Sequence, residues 1–178
     1  MKIRSTTILS VRRGNTVAIG SDGQATQGSM IAKNNTRKLH KFLDGKVIVG
    51  FAGSIADAAI LLDSLESALL RNPDNTLRAA VEHAKEVRLN RATRSLRVEL
   101  IVVSATHTLI LPGSGYVIEP DDHLAGTGSG SPYALAAAKA LLRHSDLNAA
   151  EIVRESLKIA SEFDVYTNDN FIVEELPC

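Results

Sequence analysis

The sequence predicts an α+β fold, layered as helix–sheet–sheet–helix. Three observations carry this expectation. Strand-like and helix-like segments come in blocks (strands, two helices, strands, two helices, strands), which favours antiparallel sheets with segregated helices over a doubly wound parallel sheet. Two helix pairs need two apolar sheet faces, and a four-layer sandwich of two antiparallel sheets flanked by helix pairs satisfies that need. The 178 residues fit one compact domain. A chain of this size buries roughly 70% of its unfolded surface and needs no metal or disulfide staple.

The first 53 residues read as strands. Thr7 to Val11 is β-branched and roughly alternating, and Thr16 to Ser21 follows the turn Arg13-Gly14-Asn15, giving a hairpin. A loop around Gly28 precedes Met30-Ile31-Ala32. A second hairpin joins Arg37–Phe42 to Lys46–Phe51 across Asp44-Gly45, a pair that tolerates the positive φ angles of a tight turn. Ser54 with Asp57 three residues on reads as a helix start, and Ile55, Ala59, Leu62, Leu65 and Leu69 keep helical spacing. Asn72-Pro73 ends that helix, and Asn75 or Thr76 opens the next, with Leu77, Val81, Ala84 and Val87 inward.

Strands are expected at Val98–Ala105, Thr108–Leu111 and Tyr116–Glu119. Gly126 to Gly130 reads as a glycine-rich loop, and Ser131-Pro132 then opens an Ala-rich helix to about His144. Asn148 with Glu151 caps a last helix, with Ile152, Ser156, Ile159 and Ala160 near one face. Val165-Tyr166 and Phe171–Val173 close the chain as strands.

Composition narrows the function. Lys plus Arg and Asp plus Glu number 20 each, so the net charge is zero and a global attraction to nucleic acid or an anionic membrane is not expected. Such neutrality also leaves association unopposed by charge, which favours an oligomer. Aromatic residues make up only 4%, too few for a base-stacking stripe beside Lys85, Arg88, Arg91, Arg94 and Arg97. The one cysteine, Cys178, can form neither an intrachain disulfide nor a thiolate cluster, which suits a reducing compartment. The five histidines show no metal-ligand spacing. With no apolar run of 18 residues and no secretory pattern after Met1–Ser5, the expected location is the cytoplasm, with an organelle of bacterial descent also open.

Among nucleophile candidates there is no GxSxG, and Cys178 sits on a tail. Thr6 is of a different kind. Were the Ser5–Thr6 bond cut, Thr6 would carry a free α-amine beside its own hydroxyl. An α-amine has a pKa of about 7.7–8.0, so it is a competent base at neutral pH. One residue would then hold both nucleophile and base. Gly126 to Gly130 ahead of a helix could alternatively cradle a phosphate, although it lacks the GKS/T ending of a P-loop.

The residues that settle the choice run the length of the chain. They are Thr6-Thr7-Ile8-Leu9-Ser10-Val11-Arg12-Arg13, Ser21-Asp22-Gly23-Gln24-Ala25-Thr26, the Lys33–Lys38 segment and Gly50-Phe51-Ala52-Gly53-Ser54-Ile55-Ala56-Asp57-Ala58. Later come Ala79-Ala80-Val81-Glu82, Gly126-Thr127-Gly128-Ser129 with Pro132-Tyr133-Ala134, and Tyr166-Thr167-Asn168. In this order and at this spacing the chain resembles the HslV (ClpQ) family, the proteasome-like peptidase subunits of the bacterial HslUV (ClpYQ) protease.

The resemblance implies the N-terminal-nucleophile hydrolase fold and a threonine endopeptidase. It casts Thr6 as nucleophile, Asp22 as the acid that orients a lysine, Lys38 as that lysine, Gly50 as an oxyanion amide, and Ser129 as a serine near the threonine amine. Residues 1–5 are then a leader removed on maturation, and 6–178 a single peptidase domain. No cofactor takes part in the chemistry. A structural monovalent or divalent cation, Na+ by family, held largely by backbone carbonyls, is expected at Ser161, Asp164 and Thr167, where glycine, cysteine and threonine are usual. Asp164 is expected to strengthen a hard-cation site. Ser131 stands where the family has glycine. Implied partners are a homo-oligomer of two stacked hexameric rings, the hexameric HslU (ClpY) ATPase and unfolded protein substrates, with no nucleic acid and no membrane. The alternative is an assembled but inactive ring subunit that keeps its leader.

Overall fold

The computed structural model describes residues 6–93 and 96–178. The chain runs β1 (Thr7–Arg13), β2 (Thr16–Ser21), β3 (Ala25–Gln27), β4 (Met30–Lys33), β5 (Leu39–Phe42), β6 (Val47–Gly53), α1 (Ile55–Arg71), α2 (Thr76–Leu89), β7 (Val98–Ser104) and β8 (Thr108–Pro112). It ends with β9 (Leu124–Gly128), α3 (Ser131–His144), α4 (Ala149–Phe163) and β10 (Ile172–Pro177). Two four-stranded antiparallel sheets form, in the orders β10-β2-β1-β9 and β5-β6-β7-β8, with a separate β3-β4 hairpin.

Period-2 alternation sorts the central strands into three cores. On one side of the first sheet, Leu9, Val11 and Ala18 meet Ala134, Ile152, Val153 and Leu157 of α3 and α4. On its other side Ile8, Val17 and Ile19 meet Ile48, Ala52, Ile101 and Val103 of the second sheet. The outer side of that sheet, through Val49, Phe51, Leu100 and Val102, packs on Leu61, Leu65, Leu69, Ala80 and Val87 of α1 and α2. This is the expected helix–sheet–sheet–helix sandwich.

The helix starts also match. Ser54 Oγ accepts from Asp57 N at 3.3 Å, Asn75 caps α2, and Asn148 with Glu151 forms a full capping box. Six local expectations change. Gly126–Gly128 is not loop but the end of β9, paired with Thr7–Leu9 of β1; its glycines mask a strand because Leu135 of α3 fills the space over Gly126, 2.8 Å from where a Cβ would stand. Tyr116–Glu119 forms only a bridge from Ile118 to Ile110, and Val165-Tyr166 is a turn after α4. The second hairpin has a four-residue loop, because Leu43 joins Asp44 and Gly45 at positive φ (52°, 55° and 86°). The buried face of α1 is Ala58, Leu61, Leu62, Leu65, Ala68 and Leu69, which leaves Ile55 and Ala59 outside. On α3 the cap is Gly130, and Ser131 lies one residue inside.

Candidate active site

Thr6 immediately precedes β1, whose neighbours are β2 and β9. Its carbonyl accepts from Ser129 N at 3.1 Å. The next residue, Thr7, is tied on the other side to Asp22: Thr7 N donates to Asp22 Oδ1 at 2.8 Å, and Asp22 N donates to Thr7 O at 3.2 Å. The nucleophile candidate is thereby held between the two segments that carry its expected helpers.

Asp22 follows the last residue of β2, and Lys38 precedes β5. Lys38 O accepts from Phe51 N at 3.2 Å, which fixes the lysine backbone to β6. Lys38 Nζ reaches Asp22 Oδ1 at 2.7 Å, and Asp22 Oδ2 accepts from Gln24 N at 2.9 Å. Both side chains are almost fully withdrawn from water, at 2% and 0% exposure. Burial pulls the Lys38 pKa below its usual value, and the attraction and hydrogen bond of Asp22 oppose that pull. A lysine charge in this setting acts on a neighbouring hydroxyl with little screening. Removing Asp22 would leave the ammonium buried without a counter-charge.

Gly50 does not carry an amide toward this cluster. Phe51 N bonds Lys38 O while Leu39 and Gly50 face each other. In an antiparallel ladder successive residues alternate sides, so the Gly50 N–H points the other way, to Ile101 of β7. A Cβ at Gly50 would stand 2.8 Å from Ile8 Cγ2 and 3.1 Å from Leu39 Cδ2, so the glycine serves close packing of the two sheets. The same alternation turns the amide of Gly53 to the Lys38 side, beyond the start of β5. Gly53 has φ +124°, and a Cβ there would collide with Arg97 O. The resemblance had singled out the first glycine of Gly50-Phe51-Ala52-Gly53. Counting strand parity from Lys38 is the signal that separates the two.

Ser129 follows β9, and its hydroxyl donates to Asp164 Oδ2 at 2.7 Å. Asp164 Oδ2 also accepts from Thr167 Oγ1 at 2.6 Å, and Thr167 Oγ1 contacts Thr7 Oγ1 at 2.6 Å. Gly130 N donates to Thr7 Oγ1 at 3.0 Å. Position 130 has to be glycine at this approach, because a Cβ would collide with the Thr7 hydroxyl. Asp164, Thr167 and Thr7 thus join the site around Thr6.

The side chains of the three residues expected at a cation, which the resemblance places largely on backbone carbonyls, point elsewhere. Ser161 Oγ donates back to Lys158 O at 2.7 Å. Asp164 and Thr167 turn toward Ser129 and Thr7. The Asp164 carboxylate takes hydrogen bonds at both oxygens, Oδ2 from Ser129 and Thr167 and Oδ1 from Tyr166 N at 3.3 Å. A phosphate cradle at Gly126–Gly130 also loses its donors, since Ser129 N and Gly130 N are bonded to Thr6 O and Thr7 Oγ1. Among the described residues no cluster of three His, Cys, Asp or Glu side chains could hold a metal. No described helix is long and apolar enough to cross a membrane. Lys85, Arg88, Arg91 and Arg97 are exposed, and Arg94 lies outside the described residues.

Comparison with known proteins places this arrangement. Residues 3–176 match the family described as proteasome subunit. The ATP-dependent protease subunit HslV of Thermosipho africanus is 53% identical over 99% of this chain and 100% of its own length. The subunit of the same name from Aquifex aeolicus is 48% identical over the same shares. The crystal structure of eukaryotic HslV from Trypanosoma brucei superposes with a TM-score of 0.91 at 44% identity, covering 97% of this chain and 99% of that one. A family match over nearly the whole chain, with relatives near half identity end to end, establishes that this chain belongs to the proteasome subunit family.

Proposed function

We propose that this chain is the threonine peptidase subunit of an ATP-dependent protease, with Thr6 as nucleophile once Met1–Ser5 are removed. The observation that carries the reading is Asp22 Oδ1, which accepts both from Thr7 N at 2.8 Å and from Lys38 Nζ at 2.7 Å. One carboxylate oxygen thereby sets a buried cation beside the residue that follows the nucleophile. The relatives' name, ATP-dependent protease subunit, supports the partnership with an ATPase.

Thr6 Oγ attacks the peptide carbonyl carbon, and its proton passes to the Thr6 α-amine. The Lys38 charge favours the oxygen anion during that transfer. The carbonyl oxygen gains the negative charge and meets the Gly53 N–H, a kind of donor worth about 3–4 kcal/mol of barrier. Collapse breaks the C–N bond, and the leaving amine takes the proton from the Thr6 ammonium. This leaves an ester on Thr6 Oγ. Water, deprotonated by the same amine, hydrolyses the ester and restores Thr6. No metal takes part in these steps.

In this reading the chain works in the cytoplasm within two stacked hexameric rings. A hexameric ATPase, HslU (ClpY), feeds them unfolded proteins. The test is the N-terminal mass of purified, assembled protein, taken together with its peptidase activity. A chain starting at Thr6 that cleaves peptide, and a Thr6→Ala variant that assembles without cleaving, are the expected results. An intact leader on active protein overturns the mechanism. An intact leader on inactive rings supports a structural subunit instead. Met1–Ser5 lie outside the described residues.

A further inference from the structure

A surface cavity of about 280 Å³ opens beside the far end of β1, with Arg12, Glu119, Asp121 and His123 among its walls. At ~30 Å³ per water it has room for about nine waters. Arg12 stands six residues along the chain from Thr6, about 20 Å at the rise of an extended strand, so the cavity is separate from the proteolytic site. The guanidinium is fixed in place. Nη1 donates to Ala105 O at 2.7 Å and to Cys178 Sγ at 2.6 Å, while Nη2 donates to Ser104 O at 2.8 Å and to Thr108 Oγ1 at 3.4 Å. These acceptors are two carbonyls, a thiol and a hydroxyl. Among the described residues no carboxylate pairs with Arg12, so its charge is held but not compensated.

The acids of this stretch divide. Glu119 is taken by His107 Nδ1 at 2.8 Å, and Asp122 by Lys139 Nζ at 2.6 Å. Asp121 has neither an ion pair nor a side-chain hydrogen bond among the described residues. An unpaired cation and an unpaired anion therefore line one cavity without pairing with each other. Beside them the backbone is strained. Arg12 N donates to His123 O at 3.1 Å, and His123 sits at φ 58°, in the left-handed region that a residue with a Cβ rarely adopts. Such conformations cluster at ligand clamps and active sites.

We propose that this cavity binds a small zwitterion, a free α-amino acid or a dipeptide, with its carboxylate on Arg12 and its ammonium on Asp121. One such molecule carries both missing counter-charges. A simple anion would meet Arg12 but also the Asp121 carboxylate, and a simple cation would meet the reverse, so one wall disfavours each. Arg12 Nε–H has no acceptor among the described residues, which leaves a donor for the ligand. Asp121 is exposed and Arg12 half-buried, so water weakens both contacts and the Kd is on the order of 1 mM. The site needs neither Thr6 nor an ATPase.

Saturation-transfer NMR on the mature, assembled protein reads the binding of L-alanine and of L-alanyl-L-alanine. At least one should bind saturably, and whichever does so fixes the size of the ligand. N-acetyl-L-alanine, with the carboxylate alone, and L-alaninamide, with the ammonium alone, should each bind at least about fivefold more weakly. Asp121→Asn and Arg12→Gln should each weaken the zwitterion by at least about fivefold, with peptide cleavage unchanged in Asp121→Asn. Arg12→Gln also loses the bonds to Ala105 and Ser104. Should it fail to fold, Asp121→Asn carries the test, because that side chain has no partner to lose. No saturable binding of either zwitterion at about 20 mM, roughly twenty times the expected Kd, overturns the proposal. So does a zwitterion that binds Asp121→Asn as tightly as the unaltered chain, since it then occupies another surface. N-acetyl-L-alanine binding as tightly as the zwitterion shows a plain anion site and overturns it too.

Discussion

Asp22 and Lys38 form an ion pair at 2.7 Å with both side chains removed from solvent. A pair so buried adds little to stability as a pair, but breaking it by removing one partner typically costs about 3–5 kcal/mol. Function and stability should therefore respond differently to the same substitution.

Lys38→Ala should abolish peptide cleavage, because the hydroxyl loses its adjacent charge, and should also destabilise the subunit by about 3 kcal/mol by leaving Asp22 buried and unpaired. Lys38→Met with Asp22→Asn should recover much of the stability and none of the activity. Denaturant titration and peptide hydrolysis on the same preparations check this. Cleavage by either variant at the unaltered rate would remove Lys38 from the mechanism.

The same lysine gives a pH dependence with opposite signs for rate and stability. Its pKa in the folded chain lies below 10.5, through burial, so in the window between the folded value and 10.5 the unfolded chain binds more protons. Stability from this group therefore rises with pH across that window, while its charge, and the rate with it, is lost. The kcat profile should rise with deprotonation of the Thr6 amine near pH 8, at about 7.7–8.0 for an ordinary α-amine, and fall again below 10.5. Thermal melts over the alkaline range should show no matching loss assignable to Lys38. A rate that holds flat past 10.5 would contradict the role of its charge.

Gly50 and Gly53 make a paired test. Gly50→Ala pushes a methyl against Ile8 and Leu39 between the sheets. The expected cost is about 1–3 kcal/mol of stability, with little change in kcat per folded molecule. Gly53→Ala meets Arg97 O from a backbone at φ +124° and moves the amide on the Lys38 side of β6. It should lower kcat by about 100-fold or more, as loss of an oxyanion donor does. The reverse pattern, with kcat lost at Gly50 and kept at Gly53, would return the oxyanion role to Gly50.

That pair also shows what was legible in the sequence. Block order, the Asn148–Glu151 capping box and the Ser54–Asp57 start are local signals, and the folded chain keeps all three. Strand β9 was hidden because its glycines look like loop until Leu135 is packed over them, which no local pattern reveals. Thr6 was found as a residue that could pair an α-amine with its own hydroxyl, and Asp22, Lys38 and Ser129 through the resemblance to a known family; the fold brings their segments together. Thr7 and Gly53 were missed for a different reason. Their roles depend on which way an amide or a hydroxyl points, and direction is fixed by sheet parity and proton counting, not by residue type. Asp164 entered the sequence reading only as a position that the resemblance matches to a cation site held largely by backbone carbonyls. Only the position of Ser129 across the turn shows where its oxygen goes.

Far from the site, His83 of α2 is buried at 2% exposure against α1, and its Nδ1 lies 2.9 Å from Ser64 Oγ. Burial lowers its pKa from 6.5 to about 4. The neutral ring and the Ser64 hydroxyl share one hydrogen bond at Nδ1, whose donor depends on the ring tautomer, whereas a charged ring can only donate there. The sign follows from linkage. Below 6.5 the unfolded chain protonates its histidine first, so the stability that neutral His83 contributes is fully present above that value and is lost as pH falls toward about 4. The shift corresponds to about 3 kcal/mol. Denaturant unfolding at pH 7, 5 and 4, at fixed protein concentration, should show His83→Gln losing less stability than the unaltered chain across this interval. The difference between the two curves should correspond to one proton, because acid-sensitive carboxylates such as Glu82 act equally in both. Parallel curves would mean that the α1–α2 interface opens enough to solvate the ring before it is charged, and the assignment of this acid sensitivity to His83 would fall.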